Sequence, residues 1–214
     1  MTDIFNEVDD DLRRDRAEQL WKRYGNYVIA AAAAIVVATA GWVWWTDYQR
    51  KQAAAEGEAF FAAAAKASGG DQDGAAAALT TLARDGKSGF APLALMYEAG
   101  LKARKGDAAG SAALYRAVAG DSKVDGDLRD AATLLGALVS VETAPAAEID
   151  GALARITAAK SPWRFTAFEI AAVTALKAGN TARAKEFYAR IADDPGAPGS
   201  LRARAAEMLQ AIGS

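Results

Sequence analysis

The chain has 214 residues, with 25 Lys and Arg against 27 Asp and Glu, and neither Cys nor His. That length is room for one ordinary domain plus an appendage, and the near-neutral balance offers no basic footprint for nucleic acid. Without Cys there are no disulfides, thiolate nucleophiles or thiolate metal sites, and without His the commonest general base and transition-metal ligand are missing.

Residues 1–26 carry 5 basic and 7 acidic side chains, and residues 47–214 carry 20 of each sign. The densest acidic runs, Asp9-Asp10-Asp11 and Asp193-Asp194, read as solvated segments. Gly69-Gly70 lies in a polar turn and lacks the Gly-Lys-Ser/Thr that a phosphate cradle needs; no G-x-S-x-G elbow occurs. The expectation is a protein that is not an enzyme and takes no cofactor, metal or small-molecule substrate.

"NYVIAAAAAIVVATAGWVWW", from Asn26 to Trp45, holds no charged side chain. Its 19 residues from Tyr27 make about 28 Å of helix, close to the thickness of a bilayer's hydrocarbon core. Alanine is nearly indifferent to insertion, so the six Val and Ile supply a favourable term of only about −2 to −4 kcal/mol. The flanks add to it. Trp21, Tyr24 and Tyr27 stand at one end and Trp42, Trp44, Trp45 and Tyr48 at the other, which is where amphipathic rings meet lipid headgroups.

Ala38-Thr39-Ala40 has the small-x-small form of a signal cleavage site. Against cleavage stand the long acidic leader, the apolar run continuing through Trp45, and a hydrophobic region without Leu. Arg13, Arg14, Arg16, Lys22 and Arg23 precede the stretch, whereas only Arg50 and Lys51 follow closely; this predicts a cytoplasmic N-terminus. The expected division is a cytoplasmic segment 1–26, a transmembrane helix 27–46 and an exported domain 47–214. Ala30, Ala34 and Ala38 make a small-residue row open to another helix, of a kind that arises by chance in Ala-rich sequence.

After Asp47 the pattern is Ala-rich and helical, with no alternating run that reads as a strand. About eight helices of roughly 12–20 residues are expected, the first over about 46–67, with caps at Ser161 before Pro162 and at Ser200. Gly106-Asp107 and Gly179-Asn180 interrupt helices 73 residues apart, about twice 36. Around the first turn stand Leu95, Ala99 and Tyr115; around the second stand Phe168, Ala172, Ala184 and Tyr188. Small residues let two helices cross closely, and the large aromatic fills the groove between them. Trp163 is expected to pack on the preceding hairpin, one of Phe60-Phe61 to enter the core, and Arg202 and Arg204 to line a solvated face.

These positions resemble the tetratricopeptide repeat, over hairpins at about 90–120 and 163–196; the stretch 126–158 keeps only a helical outline, and 58–86 is degenerate. The implied fold is all-α, a single transmembrane helix followed by a TPR-like antiparallel helix-hairpin solenoid. The layout, from "DIFNEVDDDLRRDRAEQLWKRYGNYV" to "PWRFTAFEIAAVTALKAGNTARAKEFYARIADDPGAPGSLRARAAEMLQ", also resembles a bacterial family of single-pass, periplasm-facing TPR-like proteins. That family includes the ancillary subunit of the Sec translocon. The resemblance implies an inner-membrane protein whose partners are the translocon, periplasmic chaperones or exported proteins. A scaffold for another envelope complex, such as division or wall-synthesis machinery, is the alternative the same surface allows.

Overall fold

The computed structural model of the chain describes residues 3–158 and 161–213, with side chains at 18, 20–158 and 161–213. The run Asp9-Asp10-Asp11 and the side chains of Arg13, Arg14 and Arg16 lie outside the described side chains. The described residues form α1 (Asp3–Ser68), α2 (Gln72–Asp85), α3 (Phe90–Arg104), α4 (Ala108–Gly120), α5 (Gly126–Ser140), α6 (Ala146–Ala158), α7 (Arg164–Lys177), α8 (Thr181–Ala192) and α9 (Gly199–Gly213). There is no strand among them. Inside α1 the chain divides into two compact units, residues 1–52 and 53–214.

The first unit is helical throughout its described length. Alanine loses no side-chain entropy in a helix, and no proline interrupts the stretch. Thr39 Oγ1 donates to the Ile35 carbonyl at 2.8 Å and Thr46 Oγ1 to the Val43 carbonyl at 2.9 Å. Both hydroxyls are thereby paired within the helix, as an apolar surrounding requires.

The second unit holds one more helix than expected. The helices α2 to α9 are only 12 to 15 residues long, so eight of them follow Ser68 where seven were expected. Their buried side chains form four clusters in series. Ala63, Leu79 and Leu101 join the end of α1 to α2 and α3. Ala99, Tyr115 and Ala132 join α3, α4 and α5. Leu134, Ile156 and Ala171 join α5, α6 and α7, and Phe168, Tyr188 and Ala205 join α7, α8 and α9. Each cluster shares a helix with the next, so the core is a line of local packings, as in a solenoid.

Three hairpins turn in one way. Gly70, Gly106 and Gly179 have φ of +94°, +84° and +75°, the left-handed region that favours glycine. The next residue, Asp71, Asp107 or Asn180, donates its N–H to the carbonyl five residues back at 2.8–2.9 Å. Its side chain then caps the following helix, accepting from Gly74, Gly110 or Arg183 N at 2.8–3.1 Å. The backbone N–H of Gly110 is the main reason the Asp107 carboxyl sits below its usual range. The Gly70-Asp71 member belongs to the stretch 58–86, whose sequence is degenerate as a repeat.

The α5–α6 hairpin turns differently. The Ser140 carbonyl accepts from Thr143 N and Ala144 N, and Pro145 then opens α6. Gly106→Ala is expected to destabilise by about 1 kcal/mol, because the space around Gly106 is open and the cost is the left-handed backbone alone. Gly151→Ala, also in open space but mid-helix, should instead stabilise by about 0.5–1 kcal/mol. Paired urea titrations of the two variants check this.

The expected caps shift by a few residues. Ser161 Oγ accepts from Trp163 N at 3.2 Å and the Ser161 carbonyl from Arg164 N at 3.2 Å, so Ser161 and Pro162 form a turn ahead of α7 and not its first turn. Ser200 lies inside α9, whose first turn closes on the Pro198 carbonyl, accepting from Leu201 N and Arg202 N.

Candidate interaction surface

In the first unit the apolar helix keeps its side chains exposed. Among the described residues one helix is long and apolar enough to cross a membrane, with a mean hydropathy of 1.9 over its most apolar window. Trp21, Tyr24, Tyr27, Trp42, Trp44, Trp45 and Tyr48 are all 49–72% exposed, as are Ile35, Val36 and Val37 nearby. The Trp44 and Tyr48 rings stack at 6.1 Å, and the Arg23 guanidinium lies 5.7 Å over Tyr24. An apolar surface of this extent is unfavourable in water and favourable in an apolar solvent.

In the second unit, the residues singled out around the two turns fall at helix crossings. Ala99, Ala172 and Ala184 are fully buried, with Tyr115, Tyr188 and Phe168 against them and Leu95 partly buried in the Tyr115 cluster. Burial raises the pKa of both Tyr115 and Tyr188. Ser111 occupies the position that Ala184 holds after its turn, and its buried Oγ has no hydrogen-bond partner among the described residues. Ser111→Ala is expected to stabilise by up to about 1 kcal/mol, since it removes an unpaired hydroxyl and keeps the small size the crossing needs. A rise in melting temperature checks this; a fall would mean the hydroxyl is satisfied.

Polar contacts join residues about one repeat apart. Lys105 pairs with Asp73, lowering the Asp73 pKa, and Lys177 pairs with Glu142. Arg183 meets Asp150 at 2.9 Å, and Arg204 grips Glu169 at 2.6 and 3.1 Å. Arg204 was expected only to line a solvated face; its partner lies 35 residues back on α7, beyond the reach of sequence reading. Asp194 likewise departs from a free acidic run, accepting from Arg164 at 3.3 Å and Gly196 N at 2.7 Å. Asp130 is buried and takes Arg155 together with Ser161 Oγ at 3.1 Å. Glu56 is buried too, accepting from Lys87 N at 2.9 Å, Ser88 N at 3.1 Å and Ser88 Oγ.

Among the described residues of the second unit, two surfaces on α5 are open to a partner. On α5, Leu138 is 55% exposed and Leu135 beside it 37%, with Val173 exposed on α7. The other surface is a groove of about 300 Å³ with α5 as floor and α4 and α6 as walls. At 100° per residue, Leu138 projects from the side of α5 opposite the floor residues Gly136 and Ser140. Of the remaining aromatics, Trp163 packs against the cluster of α5, α6 and α7 as expected. Phe60 is half-buried against Phe90 and Tyr97, while Phe61 stays exposed. The described residues hold no group of three His, Cys, Asp or Glu suited to a metal ion.

Antiparallel helix hairpins packed in series, turning on Gly-Asx and crossing at small residues, define a helical-repeat scaffold, a class that works by displaying surfaces. The chain belongs to the tetratricopeptide repeat-like domain family, whose profile matches residues 18–209. That match takes in the apolar stretch as well as the repeats. No curated protein and no solved structure matches the chain.

Proposed function

We propose that the chain is a membrane-anchored protein-interaction module acting as an ancillary factor at the bacterial Sec translocon, where it links exported proteins to periplasmic chaperones. One observation carries the anchored-module reading: a repeat scaffold follows a single apolar helix whose exposed rings stand in two groups one bilayer apart. In this reading residues 1–26 lie in the cytoplasm, residues 27–46 span the inner membrane, and residues 47–214 work in the periplasm. The excess of Lys and Arg before the span sets that direction. The anchor holds the repeats at the membrane surface, where tethering raises the effective concentration of any segment emerging beside them. The translocon assignment rests on resemblance of layout.

Crosslinking in intact bacterial membranes followed by purification of the full chain tests it. Recovery of translocon subunits together with periplasmic chaperones is the expected result. Recovery of division or wall-synthesis proteins in their place would move the module to another envelope complex. A reporter fused at the C-terminus that is active only in the cytoplasm would overturn the orientation.

A further inference from the structure

The groove on α5 is built from absence of bulk. Its floor and walls include Ala119, Gly136, Ala137 and Ala152, with Ile149 as the largest apolar side chain. A core position would carry Leu or Phe in such places; here small residues from three helices meet and leave space. A Cβ added at Gly136 would stand 3.2 Å from the Tyr115 Cβ, so glycine there lets α4 lie close on α5 while α6 stands off. The α5–α6 turn is also the one that lacks the Gly-Asx geometry of the other three. At about 300 Å³ the groove reaches the lower end of ligand-sized pockets.

Its rims are charged with opposite sign. Arg116 stands on the α4 wall and Glu148 on the α6 wall, both exposed. Neither takes an ion pair among the described residues, whereas Lys177, Arg183 and Arg204 around the neighbouring hairpin are each paired one repeat away. An apolar slot with one free cation and one free carboxylate on facing walls is complementary to a segment with the opposite charges at its two ends.

We propose that this groove is a docking site for a short apolar polypeptide segment flanked by an acidic residue, which meets Arg116, and a basic residue, which meets Glu148. The site lies on the side of α5 opposite Leu138, so it is a second surface, separate from the apolar face of α5 and α7. It deepens the protein-interaction reading by stating the chemistry of one partner segment.

The test uses the full chain in phosphatidylcholine nanodiscs and four fluorescein-labelled peptides, each with a Leu-Leu-Leu centre. Their ends are one Asp and one Lys, two Lys, or two Asp, the mixed peptide being made in both chain directions. Fluorescence anisotropy should rank a mixed peptide first by about fivefold, the size of a partly exposed charge contact. Arg116→Glu makes both rims acidic and should move the preference to the two-Lys peptide; Glu148→Arg should move it to the two-Asp peptide. A gain of the alternative peptide reports a folded variant without a separate control. Ala152→Phe, from an exposed position, should fill the groove and weaken all four peptides by about tenfold or more.

Preferences unmoved by the charge variants, full binding by Ala152→Phe, or no binding at about 1 mM peptide would each overturn the proposal. Binding indifferent to the end charges but displaced by dodecanoate would assign the groove to an acyl chain and overturn it as well. Crosslinked partners recovered equally with the wild-type chain and with Ala152→Phe would remove the groove and leave the membrane module standing.

Discussion

Replacing Glu56 by Ala is expected to destabilise residues 53–214 by about 2–4 kcal/mol. Glu56 is 8% exposed, and its carboxylate accepts two backbone N–H groups and one hydroxyl from Lys87 and Ser88. Charge-assisted bonds of this kind are stronger than neutral ones, and deleting the acceptor strands donors that have lost their water. The segment from Gly86 to Gly89 lies between α2 and α3, so the loss falls at the junction of the first two hairpins. Glu56→Gln should cost less, because Oε1 still accepts from Lys87 and only the second oxygen is replaced by a donor. Thermal melts of the full chain in nanodiscs would show both effects. A loss below about 0.5 kcal/mol for Glu56→Ala would mean that the loop holds its shape without the carboxylate.

Tyr188→Ala should be the costliest single truncation, about 3–5 kcal/mol. The ring is 2% exposed and lies in the cluster of α7, α8 and α9 with Ala172, Ala184 and Phe168. Alanines at the crossing leave a groove that only a large ring fills, so its removal opens a cavity that rigid helices cannot close. Because successive clusters share one helix each, α3, α5 and α7, with Phe187 of α8 the further link between the last two, the damage should stay local. Hydrogen exchange is therefore expected to accelerate in α7 to α9 while α2 and α3 keep their protection. Tyr188→Phe, which removes only the hydroxyl, should cost no more than about 1 kcal/mol. Uniform loss of protection along the whole unit would show that the repeats unfold together.

The two tyrosines, the alanines beside them and the turns at Gly106 and Gly179 could all be found in the sequence, because each motif lies within one hairpin. The long apolar helix could be found for the same reason, since length, charge and flanking rings are local properties. Gly69-Gly70 reads as a polar turn, but the degenerate sequence on either side hides that Gly70-Asp71 is a repeat turn with the same Gly-Asx pair and geometry. Glu56 escaped because its partners lie more than thirty residues on, and a lone acid in an Ala-rich helix reads as solvated. The groove had no signal at all. It exists where small residues of α4, α5 and α6 come together, and alanine in a helix looks alike whether it faces a neighbour, water or a void. Leu135 and Leu138 show the converse: helical periodicity marks an apolar face but not whether another helix covers it.

The charge pairs at repeat spacing have a mechanical side. Lys105–Asp73, Lys177–Glu142 and Arg204–Glu169 are partly exposed, and pairs of that kind add little to the free energy of folding. Each nevertheless bridges neighbouring turns of the coil, where it resists shear of one hairpin against the next. Screening reaches down to contact distances as salt rises from about 0.1 to 1 M, with the Debye length shrinking from about 10 to 3 Å. The stack of hairpins is thus expected to behave as an ionic spring, stiffer in dilute solution and more pliant in brine, while its helices stay folded.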